Sequence, residues 1–146
     1  MNIGLVSSVL DWIEGHPAAV ITEGGVESRT PVNLETAPAD GSTALMLRTL
    51  AASKIVRRYK SGGYIARYEF AVWLRVGARD TAARLEAMRV LMEMGASIDD
   101  RSTWPTEPEG MSWVSFSVQS LPAPVFVASD GTEDYQVSFE LTYAKG

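Results

Sequence analysis

Cysteine is absent from this chain of 146 residues, and histidine occurs only once. Without cysteine there can be no disulfide bond, no thiol catalysis and no thiolate metal site. The single histidine, His16, lies where a helix is expected to end and is followed by a proline, which does not readily continue a helix. A surface cap or turn role is therefore favoured for His16 over the role of a catalytic base.

Motifs of catalytic and phosphate-binding sites are missing as well. The sequence contains no HExxH, GxSxG, Walker or GxGxxG pattern. Gly62 and Gly63 stand between two predicted strands, so they lack the helix N-terminus on which phosphate loops depend. The acids at 99–100 and at 107 and 109 lack the spacing and the fixed glycine of an EF-hand. We therefore expect no enzymatic activity, no cofactor and no metal site.

Long apolar segments are also absent. No run reaches the roughly 18 residues of a membrane span, and the first residues lack the order of basic, apolar and small residues that marks a signal peptide. The composition, 46% hydrophobic and 21% charged, is typical of a globular protein. We expect a soluble, intracellular product that folds as one domain over residues 1–146 around a single core.

The longest alternating segment, residues 64–76, organises the predicted fold. Every second side chain in it is apolar or aromatic, as expected for one buried face of a strand. Strands usually have about 5–6 residues, so this one is expected to bend, bulge or project. Residues 54–59 also alternate, and Ser61, Gly62 and Gly63 form a turn signal between the two segments. We predict a hairpin over residues 54–76 whose first half projects from the sheet.

Two helices and several further strands complete the predicted fold. Apolar spacing predicts helices over 3–14 and from an N-cap at Asp80 to about residue 96. Strands are predicted at 19–22, 43–50, 113–120, 125–128 and 135–143. The stretches 23–42 and 99–112 are expected to be long loops. This order predicts an α+β fold, in which an antiparallel sheet of four to five strands carries two helices packed on one face.

Charge is distributed unevenly along the chain, although the net value is only −5. Residues 1–47 carry six acids and one base, residues 48–89 ten bases and three acids, and residues 93–140 nine acids and one base. This division is either ordinary solvated surface or a pair of faces through which copies bind head to tail, as in rings. The candidate subunit-contact residues are Lys54, Arg57, Arg58, Lys60, Tyr64, Arg67 and Trp104.

The sequence leaves two other functions open. The bases of the hairpin are interleaved with tyrosines, which suits contact with nucleic-acid phosphates and bases, although the acidic chain as a whole argues against it. A small-ligand site is the other alternative, with an aromatic pocket formed by Trp73, Trp113 and Tyr68.

Taken together, these elements resemble a known protein family. The hairpin turn reads Tyr-Lys-Ser-Gly-Gly-Tyr at 59–64, and Tyr68, Phe70 and Arg75 follow in the next strand. A Trp-Pro pair occurs at 104–105, and the closing strand reads Tyr-Gln-Val-Ser-Phe-Glu-Leu-Thr-Tyr at 135–143. With a short N-terminal helix and an acidic loop before them, these patterns are similar to the minor capsid and tail-terminator proteins of long-tailed bacteriophages and prophages.

The resemblance implies an α+β subunit that assembles as a hexameric ring. Such a ring caps the tail tube, stops its growth and joins the tail to the head connector, without catalysis or a cofactor. The implied partners are further copies of the chain, the major tail tube protein, the head–tail connector or stopper protein, and DNA that passes through the lumen without sequence-specific binding. The implied location is the tail or neck of the virion, after assembly in the host cytoplasm. A head-side neck protein, a stopper or head-completion protein, is the alternative within this class.

Overall fold

A computed structural model describes residues 3–23, 26–35, 43–76, 81–127 and 132–146. The elements are helices α1 (Ile3–Gly15) and α2 (Thr81–Ser97) and strands β1 (Val20–Glu23), β2 (Val26–Arg29), β3 (Val32–Leu34), β4 (Ala44–Arg58), β5 (Tyr64–Val76), β6 (Met111–Val127) and β7 (Glu133–Lys145). Short 3-10 helices occupy Pro17–Ala19 and Arg101–Thr103. The N-cap predicted at Asp80 lies outside the described residues, as does the turn that the Asp-Gly pair at 130–131 predicts.

The main sheet has five strands in the order β3-β4-β5-β7-β6. Every neighbouring pair is antiparallel except β3 and β4, which run parallel, so the sheet is mixed. Strands β1 and β2 form a separate antiparallel pair. The predicted α+β class, with two helices on one face of the sheet, is confirmed, whereas a purely antiparallel sheet is wrong at its β3 edge.

Helix α1 buries one side against the sheet. Its buried residues are Leu5, Val6, Val9, Trp12 and Ile13, which repeat at helical spacing. The predicted stripe began at Ile3, but that side chain is exposed. Gly15 ends the helix, and the Nδ1 atom of His16 accepts a hydrogen bond from the backbone N–H of Ala18 at 3.0 Å. His16 therefore caps the following 3-10 helix, which confirms a cap role, but its side chain is buried, so the expected surface position is wrong.

Helix α2 crosses the same face of the sheet and buries Ala87, Val90, Leu91, Met94 and Gly95. A Cβ atom added at Gly95 would lie 3.4 Å from Cγ2 of Val118, so this glycine lets the helix lie close to the sheet. The predicted stripe also included Leu85 and Met92, and both are exposed. The spacing of apolar residues predicted the helix correctly but predicted its buried face only in part, because the sheet determines which side of the helix is covered.

Aromatic rings fill the layer between the sheet and the helices. Phe70 of β5 and Phe139 of β7 stack with their centroids 5.2 Å apart. Trp12 of α1 meets Phe139 edge-on at 5.7 Å and Phe116 of β6 at 5.4 Å. Tyr68 is fully buried beside them, where burial raises the pKa of its hydroxyl. These contacts join three strands and one helix in a single core.

The opposite face of the sheet is held by polar pairs. Arg75 of β5 donates two hydrogen bonds to the carboxylate of Asp134 of β7, at 2.8 and 3.0 Å. The guanidinium of Arg48 lies 4.4 Å from the ring centroid of Trp73, whose Nε1 donates to Oε1 of Gln136 at 2.6 Å. Polar and aromatic side chains occur together on this face of β5 because they bind partners on the neighbouring strands.

Four segments have boundaries that differ from the predicted ones. Residues 23–42 are not one long loop, because they contain β2 and β3. Strand β4 runs without a break through 51–53, and β6 continues through Pro122 and Pro124 to Val127. Pro122 and Pro124 are accommodated because β6 pairs only with β7 within the described residues, and its ladder shifts register there. In the predicted loop 99–112, Arg101–Thr103 is a 3-10 helix and β6 already begins at Met111.

We predict that Asp134→Ala lowers the free energy of unfolding by about 3–5 kcal/mol, because it removes both hydrogen bonds that the largely buried guanidinium of Arg75 donates to this carboxylate. Asp134 is only 2% exposed. The matched control is Arg67→Ala, which removes a 3.7 Å ion pair to Glu140 from a side chain that is 45% exposed and should cost less than about 1 kcal/mol. Urea unfolding measures both. Equal losses in the two variants would contradict a structural role for the Arg75–Asp134 pair.

Candidate subunit-contact surface

The turn between β4 and β5 requires both of its glycines. The backbone N–H of Gly62 donates to the carbonyl of Tyr59 at 3.0 Å, and the N–H of Tyr59 donates to the carbonyl of Gly63 at 2.8 Å. Gly62 has a φ of 95°, which side chains rarely tolerate. A Cβ atom at Gly63 would lie 2.8 Å from the backbone oxygen of Lys145. One glycine serves the turn, and the other lets the hairpin approach the end of β7.

The hairpin projects less than the sequence predicts. Residues of β5 pair with β7 along the whole strand, up to Tyr64 opposite Lys145. Only the β4 side is open, since β3 covers β4 no further than Leu47 in the described part of the chain. Nine residues of β4, 49–57, lie opposite six of β5, 65–70, with three register shifts between them. Such bulges increase twist and re-aim side chains, so this edge is irregular.

Three cations of the hairpin face solvent. Arg57, Arg58 and Lys60 are exposed, and none of them forms an ion pair with a carboxylate among the described residues. The guanidinium of Arg57 lies 5.3 Å from the ring centroid of Tyr59, and that of Arg58 lies 6.0 Å from the ring of Tyr64. We call the exposed residues 57–61 the basic turn. It carries positive charge and a half-exposed tyrosine at one end of the sheet.

The other predicted contact residues have different roles. Tyr64 is half-buried and meets Tyr143 at 6.5 Å, and Arg67 pairs with Glu140 across the sheet. The side chain of Lys54 lies outside the described part. Both Tyr64 and Arg67 thus anchor the hairpin to β7.

Trp104 does not belong to the basic turn. Its Nε1 donates to the carbonyl of Ile98 at 2.7 Å, and its ring meets Phe116 edge-on at 5.7 Å. The guanidinium of Arg101 lies over this ring, 4.6 Å from its centroid. Trp104 packs against the core on this side, and its role as a subunit contact stays a prediction.

The alternative aromatic pocket is contradicted by the fold. Tyr68 and Trp113 are buried on the helix side of the sheet, whereas Trp73 lies on the other side beside Arg48 and Gln136. Alternation along β5 separates residues 68 and 73 onto opposite faces. These three side chains cannot line one cavity.

A groove that the sequence did not predict lies between α1, the end of α2 and residues 103–108. Its volume is about 840 Å³. The segment is tied to α1 by a hydrogen bond from Ser8 Oγ to the carbonyl of Thr106 and by Trp12 Nε1 donating to the carbonyl of Thr103 at 2.7 Å. The signal for it was the run of small residues on the exposed side of α1. The lining residues from that side are Gly4, Ser7, Ser8, Asp11 and Gly15.

Negative charge dominates the groove. Asp11, Glu93 and Glu107 line it, and no lysine or arginine is among its described lining residues. Oε2 of Glu93 forms an ion pair with Nη1 of Arg89 at 2.8 Å. Oε2 of Glu107 accepts a hydrogen bond from the backbone N–H of Trp113 at 2.8 Å. Asp11 is exposed and has no ion-pair partner among the described residues. The groove therefore offers carboxylates to a cation from outside.

His16 and Ser97 meet at the groove but are not arranged as a catalytic pair. Nε2 of His16 lies 2.9 Å from Oγ of Ser97, which donates to the carbonyl of Met94 at 2.7 Å. Because Nδ1 of His16 accepts from Ala18, the ring proton is on Nε2 and points at the serine oxygen. The histidine thus donates to the serine and cannot take its proton. The contact joins the end of α1 to the end of α2.

Within the described ranges, no three side chains of the metal-binding types lie together as ligands would. The described helices include none that is both long and apolar enough to cross a membrane. A comparison with models of protein families gave no match, and a comparison with curated proteins gave no similar sequence.

We predict that Gly63→Ala lowers the free energy of unfolding by about 1–3 kcal/mol, because the added methyl group would press on the Lys145 carbonyl. Gly15→Ala is the control, since nothing lies within 4 Å of a Cβ there and alanine favours helix. Chemical denaturation measures both. If the Gly63 variant is as stable as the native chain, the close approach of the turn to β7 is not a constraint.

We predict that stability falls as pH is lowered below 6.5 and that His16→Asn reduces this fall. Burial is the largest cause that lowers the pKa of His16 from 6.5; Glu93 opposes it and Arg29 adds to it. The unfolded chain therefore binds a proton first, and the stabilising contribution present above 6.5 is lost toward the lower folded pKa. Asparagine keeps an acceptor for Ala18 but does not titrate. Parallel pH profiles of unfolding for both proteins would contradict this assignment.

Proposed function

We propose that this chain is a structural subunit of a long-tailed phage virion, a tail terminator or neck component that assembles as a hexameric ring. The ring caps the tail tube and joins the tail to the head connector, and the subunit catalyses no reaction. The observation that carries the proposal is the basic turn, whose exposed Arg57 and Arg58 have no carboxylate partner among the described residues. An acidic surface elsewhere on the same chain is its natural complement.

The patterns that resemble the family also support the proposal by their positions in the fold. The glycine pair forms the tight turn at 59–63, and the closing strand lies inside the sheet between β5 and β6. A ring subunit needs surfaces of opposite character on its two flanks and no deep cavity of its own. Its partners in this proposal are neighbouring copies, the tail tube protein, the connector or stopper, and DNA in the lumen.

The test reverses the charge of the basic turn. We predict that the double variant Arg57→Glu, Arg58→Glu raises the concentration at which oligomers form at least tenfold, about 1.4 kcal/mol per contact. The control Arg57→Lys, Arg58→Lys keeps the charge and should assemble. Both variants should unfold within about 0.5 kcal/mol of the native chain, because the side chains are exposed. Analytical ultracentrifugation measures the mass of the assembled species. Electron microscopy of growing tail tubes shows whether their ends are capped.

Two outcomes would contradict the proposal. A native chain that stays monomeric at high concentration and leaves tubes of the cognate tail protein uncapped is not a terminator. Salt-dependent DNA binding that the glutamate variant loses, without any oligomer, would instead assign the basic turn to nucleic-acid phosphates.

A further inference from the structure

We propose that the groove between α1 and residues 103–108 is the acceptor for the basic turn of a second copy of this chain. The inference rests on the proposed self-association and names its second surface. The basic turn and the groove are different places on the molecule, and no residue belongs to both. Each copy therefore both donates a turn and receives one, which is the head-to-tail arrangement that builds rings.

Charge selects this occupant. The groove offers the carboxylates of Asp11 and Glu107, which form no ion pair among the described residues, whereas the third carboxylate of its lining, Glu93, is already paired with Arg89. The turn presents Arg57, Arg58 and Lys60 without a carboxylate partner in the described chain. Like-charged surfaces repel, so a turn meeting another turn, or a groove meeting a groove, is disfavoured relative to the mixed contact.

Shape and composition favour the same pair. The groove is concave, about 840 Å³ in volume, and its wall includes Trp12, Trp104 and Pro105 beside the acids. The basic turn is exposed throughout and holds the guanidinium of Arg57 5.3 Å from the ring centroid of Tyr59. Tyrosine and arginine are the residues that most often dominate binding energy when they enter a pocket on a partner.

The turn is also held in place before it binds. Its backbone hydrogen bonds between Tyr59, Gly62 and Gly63, and the contact of Gly63 with the end of β7, fix its shape. A preformed donor loses little conformational entropy on association. The groove is fixed as well, because Ser8 and Trp12 of α1 hold residues 103–106 by hydrogen bonds to their carbonyls.

The chain contains no cysteine, so single cysteines test this contact directly. Ser7→Cys places a thiol in the groove, and Ser61→Cys places one at the tip of the turn; both serines are exposed. Ser28→Cys, an exposed serine on β2 that belongs neither to the lining of the groove nor to the basic turn, is the matched control. The three variants are mixed in pairs at a concentration at which the native chain is oligomeric. A short bismaleimide is then added to cross-link thiols that lie close together.

We expect the Ser7 and Ser61 variants to give a cross-linked dimer when mixed, at a yield at least tenfold above that of either variant alone or of mixtures with the Ser28 variant. The double variant Ser7→Cys, Ser61→Cys should give a ladder of higher multimers. Adding Asp11→Lys to the Ser7 variant should abolish the dimer, and adding Arg58→Glu to its Ser61 partner should restore it.

Sedimentation of the same samples separates the two proposals. Oligomers that form without the mixed cross-link would overturn this acceptor site while the proposed function stands. A dimer of the Ser61 variant with itself would show turn-to-turn contact and would also overturn it. Absence of any oligomer would overturn both proposals.

Discussion

The pairing of β5 with β7 is the constraint on which the rest of the structure depends. All thirteen residues of β5 have a partner in β7, from Tyr64 opposite Lys145 to Val76 opposite Glu133, without a register shift. The flanking strands β4 and β6 both shift register several times. Because side chains alternate at a fixed register, this one regular pair assigns every residue on both strands to the core or to the opposite face.

Both faces of the molecule follow from that assignment. On the helix side, Phe70 and Phe139 stack and receive Trp12 from α1, and aromatic contacts of this kind add about 0.5–1.5 kcal/mol each beyond burial. On the other side, Arg75 and Asp134 satisfy each other's charge. The aromatic side chains thus act mainly as core, which removes the basis for reading them as a ligand pocket.

The same pairing holds the hairpin turn against the end of the sheet. Gly63 lies against the backbone of Lys145 at the end of β7, so the turn packs closely on the sheet. Arg57 and Arg58 lie on the open β4 side, where bulges turn them toward solvent. A charged, preformed turn of this kind can bind a complementary surface at a small entropic cost, which suits assembly of copies better than capture of a flexible substrate.

The sequence alone determined the α+β class, both helices, the hairpin and the closing strand, because alternation and helical spacing are local properties that burial on one side imposes directly. It also located the basic turn, since charge clusters and glycine pairs are visible in the chain. Only the tertiary structure decided that β3 runs parallel to β4, that Trp104 packs against Phe116, and that Trp73 and Tyr68 face apart. The groove beside α1 belongs with these. Its walls come from residues within 4–18, 93–97 and 103–108, and no local pattern records which distant segments the sheet brings together.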